Sequence, residues 1–307
     1  MTDEEYQFIL EDRIAKIRAI NEQFNLLEDS HISFSGGKDS TVLHYLMDMA
    51  LPNNKIPRVY ANTGIEYIDV VNFVKDLASK DDRFIILNQD TNIRKTLREY
   101  GYPFKSKEHS QKVWRGQRLL RQGKEISPFL KSYITDDYGG RPCPQILRYQ
   151  FKEIMPFKIS DNCCLKLKKA LLNKTKKKMA ITGMRADEGG ARVQLTCLSH
   201  NNEKFNPLIV ISDEWEEEFI KRNNIKLCKL YYPPYEFERT GCKGCPFSLQ
   251  LQQNLNRIYI YMPNEYKQII NLWKPVYDEY IRIGYRLKYY PHERGVQMNL
   301  FDYEDKE

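Results

Sequence analysis

The residues best suited to chemistry are Ser-Gly-Gly-Lys-Asp-Ser at positions 35–40. Ile32 and Phe34 alternate with polar residues before this segment, and apolar residues from Val42 to Ala50 recur at helical spacing after it. A glycine turn thus joins a strand to a helix, where both glycines can take positive φ and the first helical amides favour an anion. We predict a phosphate-binding loop that differs in spacing from the Walker motif. The alternative is an ordinary turn with Asp39 as the helix cap.

Polar residues follow two other predicted strands. Asn62-Thr63-Gly64 comes after the strand at 58–61, and Arg185 and Arg192 come after the strand at 179–183. Arginines can clamp a phosphate or sulfate through two parallel hydrogen bonds. The alternatives are ordinary turn chemistry at Thr63 and a surface network of arginine and glutamate after residue 183.

Four of the seven cysteines form two close pairs, Cys163-Cys164 and Cys242-x-x-Cys245. Four thiolates can hold a zinc ion or a [4Fe–4S] cluster. Adjacent cysteines are awkward for one small tetrahedral ion, whereas the irons of a cluster lie farther apart. We therefore favour a cluster, with zinc or unligated thiols as alternatives.

Strands that alternate with helices must position these residues, since such alternation predicts a parallel sheet covered on both faces. We expect an α/β fold with a doubly wound, mostly parallel sheet and a C-terminal helical extension. Ligands of such sheets bind at the carboxyl ends of strands. The predicted domains are residues 1–245, with an insert at about 100–160, and the helical extension 246–307.

Composition describes a soluble protein, with 29% charged residues and a formal net charge of +7. No apolar run approaches the length of a membrane span, and the first residues lack the pattern of a signal peptide. We expect a cytoplasmic protein without membrane association, in which cysteines act as ligands or thiols. The positive charge favours anionic partners but does not distinguish a nucleotide from a nucleic acid.

Two basic segments are candidates for a nucleic-acid surface. One is the insert, whose basic residues are Lys112, Arg115, Arg118, Arg121 and Lys124. The other contains seven lysines and no acidic residue between positions 166 and 178. The alternative for both is a solvated helix face.

The motifs at 35–40, 62–67 and 183–192 resemble those of the phosphoadenosine phosphosulfate reductase family of the PP-loop superfamily, whose members bind adenine nucleotides. The resemblance covers most of residues 30–250 and implies an adenine nucleotide α-hydrolase-like fold. It implies that the nucleotide-binding residues are Ser35, Gly36, Gly37, Lys38, Asp39, Ser40, Asn62, Thr63, Gly64, Gly183, Arg185, Glu188 and Arg192.

The cysteine pairs, separated by the 77 residues 165–241, resemble those of iron–sulfur adenylylsulfate reductases and of the related DNA phosphorothioation enzyme. The resemblance implies a [4Fe–4S] cluster on Cys163, Cys164, Cys242 and Cys245, beside the nucleotide site, with Lys168 close to it. Assimilatory reductases also carry a catalytic cysteine in the C-terminal tail. Residues 295–307 contain none, so reduction by that mechanism is not expected.

The function favoured by the sequence is ATP-dependent adenylylation and sulfur transfer to an acceptor such as tRNA or DNA, with a sulfur donor protein or reductant as a further partner. Lys38, Arg185 and Arg192 would stabilise the departing pyrophosphate, and Asp39 would help to hold Mg²⁺. One alternative is a sulfonucleotide reductase that releases sulfite and uses Cys143 as its thiol. Another is a non-catalytic nucleotide-binding or redox-sensing module.

Overall fold

The computed structural model describes residues 1–89, 91–135, 137, 139 and 142–294, with the backbone alone at 188, 190 and 191. The chain forms two compact units. The sheet unit comprises Met1–Asp90 and Leu167–Gly241, and the helical unit comprises Thr91–Lys166 and Cys242–Glu307. The tail from 295 to 307, which the sequence comparison singled out, lies outside the described residues.

The α-helices are α1 (Asp3–Phe24), α2 (Leu26–Asp29), α3 (Lys38–Ala50), α4 (Ile68–Lys80), α5 (Ile93–Tyr100), α6 (Lys107–Arg121), α7 (Pro128–Ile134), α8 (Asn162–Cys164), α9 (Ala170–Leu172), α10 (Asp213–Arg222), α11 (Leu251–Tyr261), α12 (Pro263–Arg282) and α13 (Pro291–Arg294). The strands are β1 (Ser30–Phe34), β2 (Arg58–Asn62), β3 (Phe84–Asn88), β4 (Met179–Ile181) and β5 (Lys204–Phe205). A π-helical turn spans Leu165–Lys169, and 3-10 turns span Gln145–Phe151, Asn173–Thr175, Ala186–Glu188, Gly190–Gln194 and Lys229–Tyr231.

The five strands form one sheet in the order β3-β2-β1-β4-β5, and every neighbouring pair is parallel. The chain winds outward from β1 in both directions, which confirms the predicted doubly wound α/β fold. The change of direction lies between β1 and β4, where Ile32 is in register with Ile181. In open parallel sheets, ligands bind in the crevice at the carboxyl ends of the two strands at such a point.

Apolar burial holds the sheet unit together. Trp215 of α10 is fully buried and stacks on Tyr6 of α1, with ring centroids 5.5 Å apart. Its indole nitrogen also donates a hydrogen bond to the Tyr6 carbonyl oxygen at 3.2 Å. Thr2 caps α1 through a reciprocal pair of hydrogen bonds with Glu5, satisfying amides at the helix start. The contacts of Trp215 with Tyr6 thus fix α10 against α1.

The helical unit combines the insert with the C-terminal helices, which confirms the predicted helical extension. The Phe104 ring lies 4.5 Å from that of Tyr280 in α12, and the Tyr280 hydroxyl accepts a hydrogen bond from the Lys105 amide at 2.7 Å. The sequence-based division placed the insert with residues 1–245 instead, because packing between distant segments leaves no local signal. Its boundaries stay a prediction. No helix in the described part of the chain is long and apolar enough to cross a membrane.

Candidate functional site

The turn after β1 depends on a close approach of its backbone to α4. Gly36 has φ +72°, and a Cβ there would lie 2.7 Å from Val70 and 3.0 Å from Val74. Gly37 has φ −87°, so of the two glycines Gly36 alone uses a positive φ. A side chain at Gly37 would instead crowd Ser35 and Tyr231, at 3.2 and 3.3 Å.

Hydrogen bonds within the turn close it upon itself. The hydroxyl groups of Ser35 and Ser40 lie 3.0 Å apart, and the Ser35 hydroxyl accepts from the Gly37 amide at 3.3 Å. Gly37 is the N-cap residue of α3, so Asp39 is not the cap. The Lys38 amide donates to the Tyr231 hydroxyl at 2.9 Å. A phosphate that binds this amide would therefore compete with a phenol.

The segment after β4 lies directly against the start of α3. A Cβ at Gly183 would lie 2.9 Å from the carbonyl oxygen of Asp39, so only glycine permits this approach without a shift. Arg185 follows, is buried, and donates through Nε to the Asp39 carboxylate at 2.7 Å. It also pairs with Asp213 at the start of α10. The structure thus brings together two of the predicted motifs, from positions 35–40 and 183–192.

Glu216 of α10 lies beneath these charges and was not predicted from the sequence. Its side chain is fully buried, and its Oε2 lies 3.2 Å from Lys38 Nζ and 3.3 Å from Arg185 Nη2. Burial, reinforced by the negative charge of Asp39, raises the pKa of Glu216 to about 7. Burial lowers the pKa of Arg185, but the carboxylates of Glu216, Asp213 and Asp39 outweigh it and raise that pKa above its ordinary value.

A cavity of about 560 Å³ opens beside this network. Its lining residues all belong to the sheet unit. The basic ones are Lys38, Arg185 and Arg239, and the acidic ones are Asp39, Asp213, Glu217, Glu236 and Glu238. The volume falls within the range of roughly 300–1,000 Å³ that small-ligand sites span. Arg239 was not among the predicted site residues, since an exposed arginine far along the chain gives no signal of its own.

Arg192 belongs to the same group of positive charges. Its pKa is lowered by burial and by the positive charges of Arg239 and Arg185, while Asp39 opposes the shift. Mutual repulsion between cations marks a site that an anion would stabilise. The side chain of Glu188, a predicted nucleotide ligand in this segment, lies outside the described residues.

The turn after β2 is organised differently. The Thr63 hydroxyl donates to Glu66 at 2.9 Å, and the Gly64 amide donates to the Asn62 side-chain oxygen at 3.3 Å. Lys168 Nζ lies 3.4 Å from the Glu66 carboxylate. The described residues that line the cavity do not include Asn62, Thr63 or Gly64. Their nucleotide-binding role stays a prediction.

Comparison with known families agrees with this geometry. The model of the phosphoadenosine phosphosulfate reductase domain matches residues 30–248, which is more than half of the chain and includes the loop, the cavity and both cysteine pairs. The chain belongs to this family. The family is part of the PP-loop adenine nucleotide α-hydrolase superfamily, as the sequence predicted.

One curated relative is the uncharacterized protein MJ0973 of Methanocaldococcus jannaschii, which is 24% identical over 288 residues. The match covers 89% of this chain and 55% of the relative, so the chain spans about half the length of that protein.

Three solved structures show a distant likeness. A phosphoadenylyl-sulfate reductase from Candida auris, in a phosphate complex, has a TM-score of 0.40 at 11% identity and covers 75% of this chain and 91% of its own. The U34-tRNA thiolase NcsA from Methanococcus maripaludis, with its [4Fe–4S] cluster, has a TM-score of 0.37 at 15% identity. That match covers 89% of this chain and 80% of the thiolase chain. An NH3-dependent NAD synthetase from Campylobacter jejuni, in complex with nitrate, has a TM-score of 0.36 at 12% identity. That match covers 88% of this chain and 94% of the synthetase chain.

The four paired cysteines of this family member all lie in the helical unit. A hydrogen bond with Cys164, together with burial, raises the pKa of Cys163 far above its ordinary value. The negative charges of Cys245 and Cys242 add to the shift, so the four thiols are near enough to interact. Among the described residues, no three His, Cys, Asp or Glu side chains are arranged to hold a metal ion. The argument for a cluster at these cysteines is the chemistry of the ligands. Four thiolates from two close pairs are the ligands that a [4Fe–4S] cluster uses.

The Cys242-x-x-Cys245 turn is anchored by α12. Gly244 has φ +62°, and a Cβ there would lie 2.3 Å from Ile269. The Trp273 indole donates to the Lys243 carbonyl oxygen at 2.9 Å, and the Tyr277 hydroxyl donates to that of Gly244. These contacts fix the backbone between the two cysteines.

Cys143, the candidate nucleophile for sulfonucleotide reduction, is buried in the helical unit. Burial raises the pKa of its thiol to about 11, although Lys105, Arg148 and Lys112 oppose the shift. Because the thiolate is the nucleophile, a thiol with so high a pKa is mostly unreactive near neutral pH. This environment does not favour Cys143 as a catalytic thiol.

Proposed function

We propose that this protein is an adenine-nucleotide enzyme of sulfur metabolism, which uses ATP to adenylylate an acceptor and then transfers sulfur to it. The observation that carries the proposal is that Lys38, Arg185 and Arg239 line one cavity after β1 and β4, with Arg192 close enough to interact with Arg239 and Arg185. Lys38 and Asp39, the first residues of α3, line the same cavity. Their amides would bind the phosphates of a nucleotide together with the cations, the Lys38 amide in place of its bond to the Tyr231 hydroxyl.

The proposed chemistry has two displacements and no net oxidation. An acceptor oxygen attacks the α-phosphorus of ATP, the bond from that phosphorus to the pyrophosphate oxygen breaks, and pyrophosphate leaves. A hydrosulfide-level sulfur then attacks the adenylylated centre of the acceptor, whose bond to oxygen breaks, and AMP leaves. Lys38, Arg185 and Arg192 stabilise the negative charge of the departing pyrophosphate.

Asp39 would hold Mg²⁺ when the nucleotide binds. In the structure this carboxylate accepts a hydrogen bond from Arg185, so metal and arginine share one partner. Cys163, Cys164, Cys242 and Cys245 would hold the [4Fe–4S] cluster, whose chemistry when bound is to carry sulfur or to order the site. Zinc on the same four cysteines is the alternative.

The test is pyrophosphate release from ATP and Mg²⁺ with sulfide present and either total tRNA or duplex DNA as the acceptor. We expect release with one of these acceptors, and a rate about 100-fold lower in Lys38→Ala, since removing one preorganised charge donor typically costs 10²–10³. Lys226→Ala removes an exposed lysine of the same unit outside the cavity and serves as the control.

Two results would contradict the proposal. Sulfite release from adenylylsulfate or phosphoadenylylsulfate, without pyrophosphate release from ATP, would indicate a reductase. Cys143→Ser would then show whether that thiol is the nucleophile. Tight ATP binding with no turnover with either acceptor would indicate a nucleotide-binding or sensing module.

A further inference from the structure

Helix α6 and the start of α7 present basic and aromatic side chains together on the surface of the helical unit. Trp114 is 39% exposed and Phe129 is 50% exposed, and they lie together on this surface. The Arg118 guanidinium lies 5.8 Å from the centre of the Trp114 ring, and the Lys112 ammonium lies 5.5 Å from that of Phe129. Both rings therefore already lie beside cations.

Two cavities lie along this surface, and both are lined by Trp114 and Arg118. The first, of about 320 Å³, extends past Tyr100 to Asn162, the residue next to Cys163. The second, of about 300 Å³, extends to Phe129. We call the two together the α6 groove. Each is at the low end of the range for small-ligand sites, roughly 300–1,000 Å³, and suits one flat ring system.

Charge in the α6 groove is strongly one-sided. The basic residues that line it are Arg115, Arg118, Arg121 and Lys158, and the only acidic one among the described residues is Glu99. Three of the seven lysines of the run have polar partners. Lys178 pairs with Asp29, Lys177 donates to the Glu28 carbonyl oxygen and Lys168 pairs with Glu66. The groove suits a nucleic acid better because its cations lie beside exposed aromatic rings.

We propose that the α6 groove binds single-stranded nucleic acid, with bases stacked on Trp114 and Phe129 and backbone phosphates on the arginines. Exposed aromatic rings interleaved with cations are the elements by which proteins hold single strands. A duplex keeps its bases stacked on one another and would offer the groove only its phosphates. Charge complementarity separates this ligand from a basic protein partner, since only Glu99 among the described lining residues would attract one. The exposed rings of Trp114 and Phe129 favour a strand with unstacked bases over an acidic protein.

This inference rests on the proposed function only in naming the strand as the acceptor that receives sulfur. A strand in the groove would pass Asn162, next to the predicted cluster ligands Cys163 and Cys164. The groove itself is a binding site, and its test needs neither ATP nor turnover.

The test is fluorescence anisotropy of the full-length protein with a labelled 20-nucleotide strand of mixed sequence, as RNA and as DNA, and with the matching duplex. We expect the single strand to bind more tightly than the duplex. Trp114→Ala should weaken single-strand binding about tenfold, since stacking on one aromatic ring contributes roughly that much. Arg118→Ala with Arg121→Ala should reduce the slope of log affinity against log salt by about 1.4, or ~0.7 for each phosphate contact.

Matched controls make the result specific to the groove. Ile154→Ala removes an apolar side chain that is 64% exposed, and Lys152→Ala with Lys267→Ala removes two exposed charges of the same unit outside the groove. These should leave affinity within about twofold of wild type, because they touch neither stacking nor groove phosphates. Equal losses in controls and groove variants, or duplex binding as tight as single-strand binding and unaffected by Trp114→Ala, would overturn the proposal. The proposal would also be overturned if neither the RNA strand nor the DNA strand bound at 50 mM salt.

Magnesium-ATP binding, measured in parallel, separates the two proposals. Groove variants that lose the strand and keep ATP would support the groove whatever reaction the nucleotide site performs. Loss of ATP binding in Lys38→Ala with normal strand binding would be the converse result, and would concern the nucleotide site alone.

Discussion

Four charged side chains of the sheet unit form one partly buried network, in which each carboxylate has a cation within reach. Asp39 is held by Arg185, and Glu216 lies 3.2 Å from Lys38 and 3.3 Å from Arg185. A nucleotide that takes the two cations would leave Glu216 buried without its partners, which favours its protonated form. The protonation state of Glu216 and phosphate binding are therefore linked.

This linkage predicts the pH dependence of nucleotide affinity. The pKa of Glu216 is raised to about 7, so the carboxyl is neutral below this pH and negative above it. The cavity gains one negative charge as pH rises through 7, and ATP affinity should fall over the same interval. Glu216→Gln should remove this part of the dependence. The measurement is calorimetric binding of magnesium-ATP from pH 6 to 8.5.

Any titration of the ligand itself is common to both proteins, so the difference between their profiles isolates Glu216. A second control is Glu217→Gln, because Glu217 lies on the same helix and lines the cavity without pairing to Lys38 or Arg185 in the contacts of the described residues. Parallel profiles for wild type and Glu216→Gln would show that Glu216 does not titrate in this range.

At the scale of elements, the loop between β1 and α3 is shaped by its contact with α4 as much as by its own sequence. Gly36 needs a left-handed backbone and also the absence of a side chain, since Val70 and Val74 occupy the space beside it. Gly189 provides a natural comparison. It has the same φ of +72°, but nothing lies within 4 Å of the place where its Cβ would be.

We expect Gly36→Ala to destabilise the protein more than Gly189→Ala. Both variants force alanine to a positive φ, which costs about 1–3 kcal/mol. Only Gly36→Ala adds overpacking, which costs about 1–3 kcal/mol more. Urea denaturation measures the free energy of unfolding of each. If the two losses are equal, the approach of α4 does not constrain the loop. Magnesium-ATP binding should also weaken in Gly36→Ala, because the loop must shift.

For the whole molecule, the sequence predicted what depends on local pattern. Alternating strands and helices predicted the parallel sheet. The nucleotide-binding role of the turns at its carboxyl ends stays a prediction. What the sequence did not predict depends on distant packing. Tyr231 and Glu216 reach Lys38 from segments nearly 200 residues away, and neither has a local motif. The union of insert and C-terminal helices in one unit depends on contacts such as that of Phe104 with Tyr280.

The division into units also separates the two predicted cofactor sites. The nucleotide cavity is lined by residues of the sheet unit alone, and the four paired cysteines belong to the helical unit alone. Each of these two groups of side chains thus lies within one compact unit. Loss of one ligand should therefore leave the binding of the other in place.

We predict that anaerobically purified protein contains about four irons per chain, as four thiolates of this kind hold a [4Fe–4S] cluster. Cys245→Ser should lose most of the iron and its visible absorption while magnesium-ATP affinity stays within about threefold, a change of less than 1 kcal/mol. Cys228→Ser replaces a buried thiol of the sheet unit and should keep the iron.

Iron and zinc analysis, together with calorimetric ATP binding, tests both the cysteine ligands and the independence of the two sites. Zinc in place of iron would make the cysteine site structural, and iron retained in Cys245→Ser would exclude this ligand set. A Cys245→Ser protein that lost iron and ATP binding together would show that the two sites depend on each other.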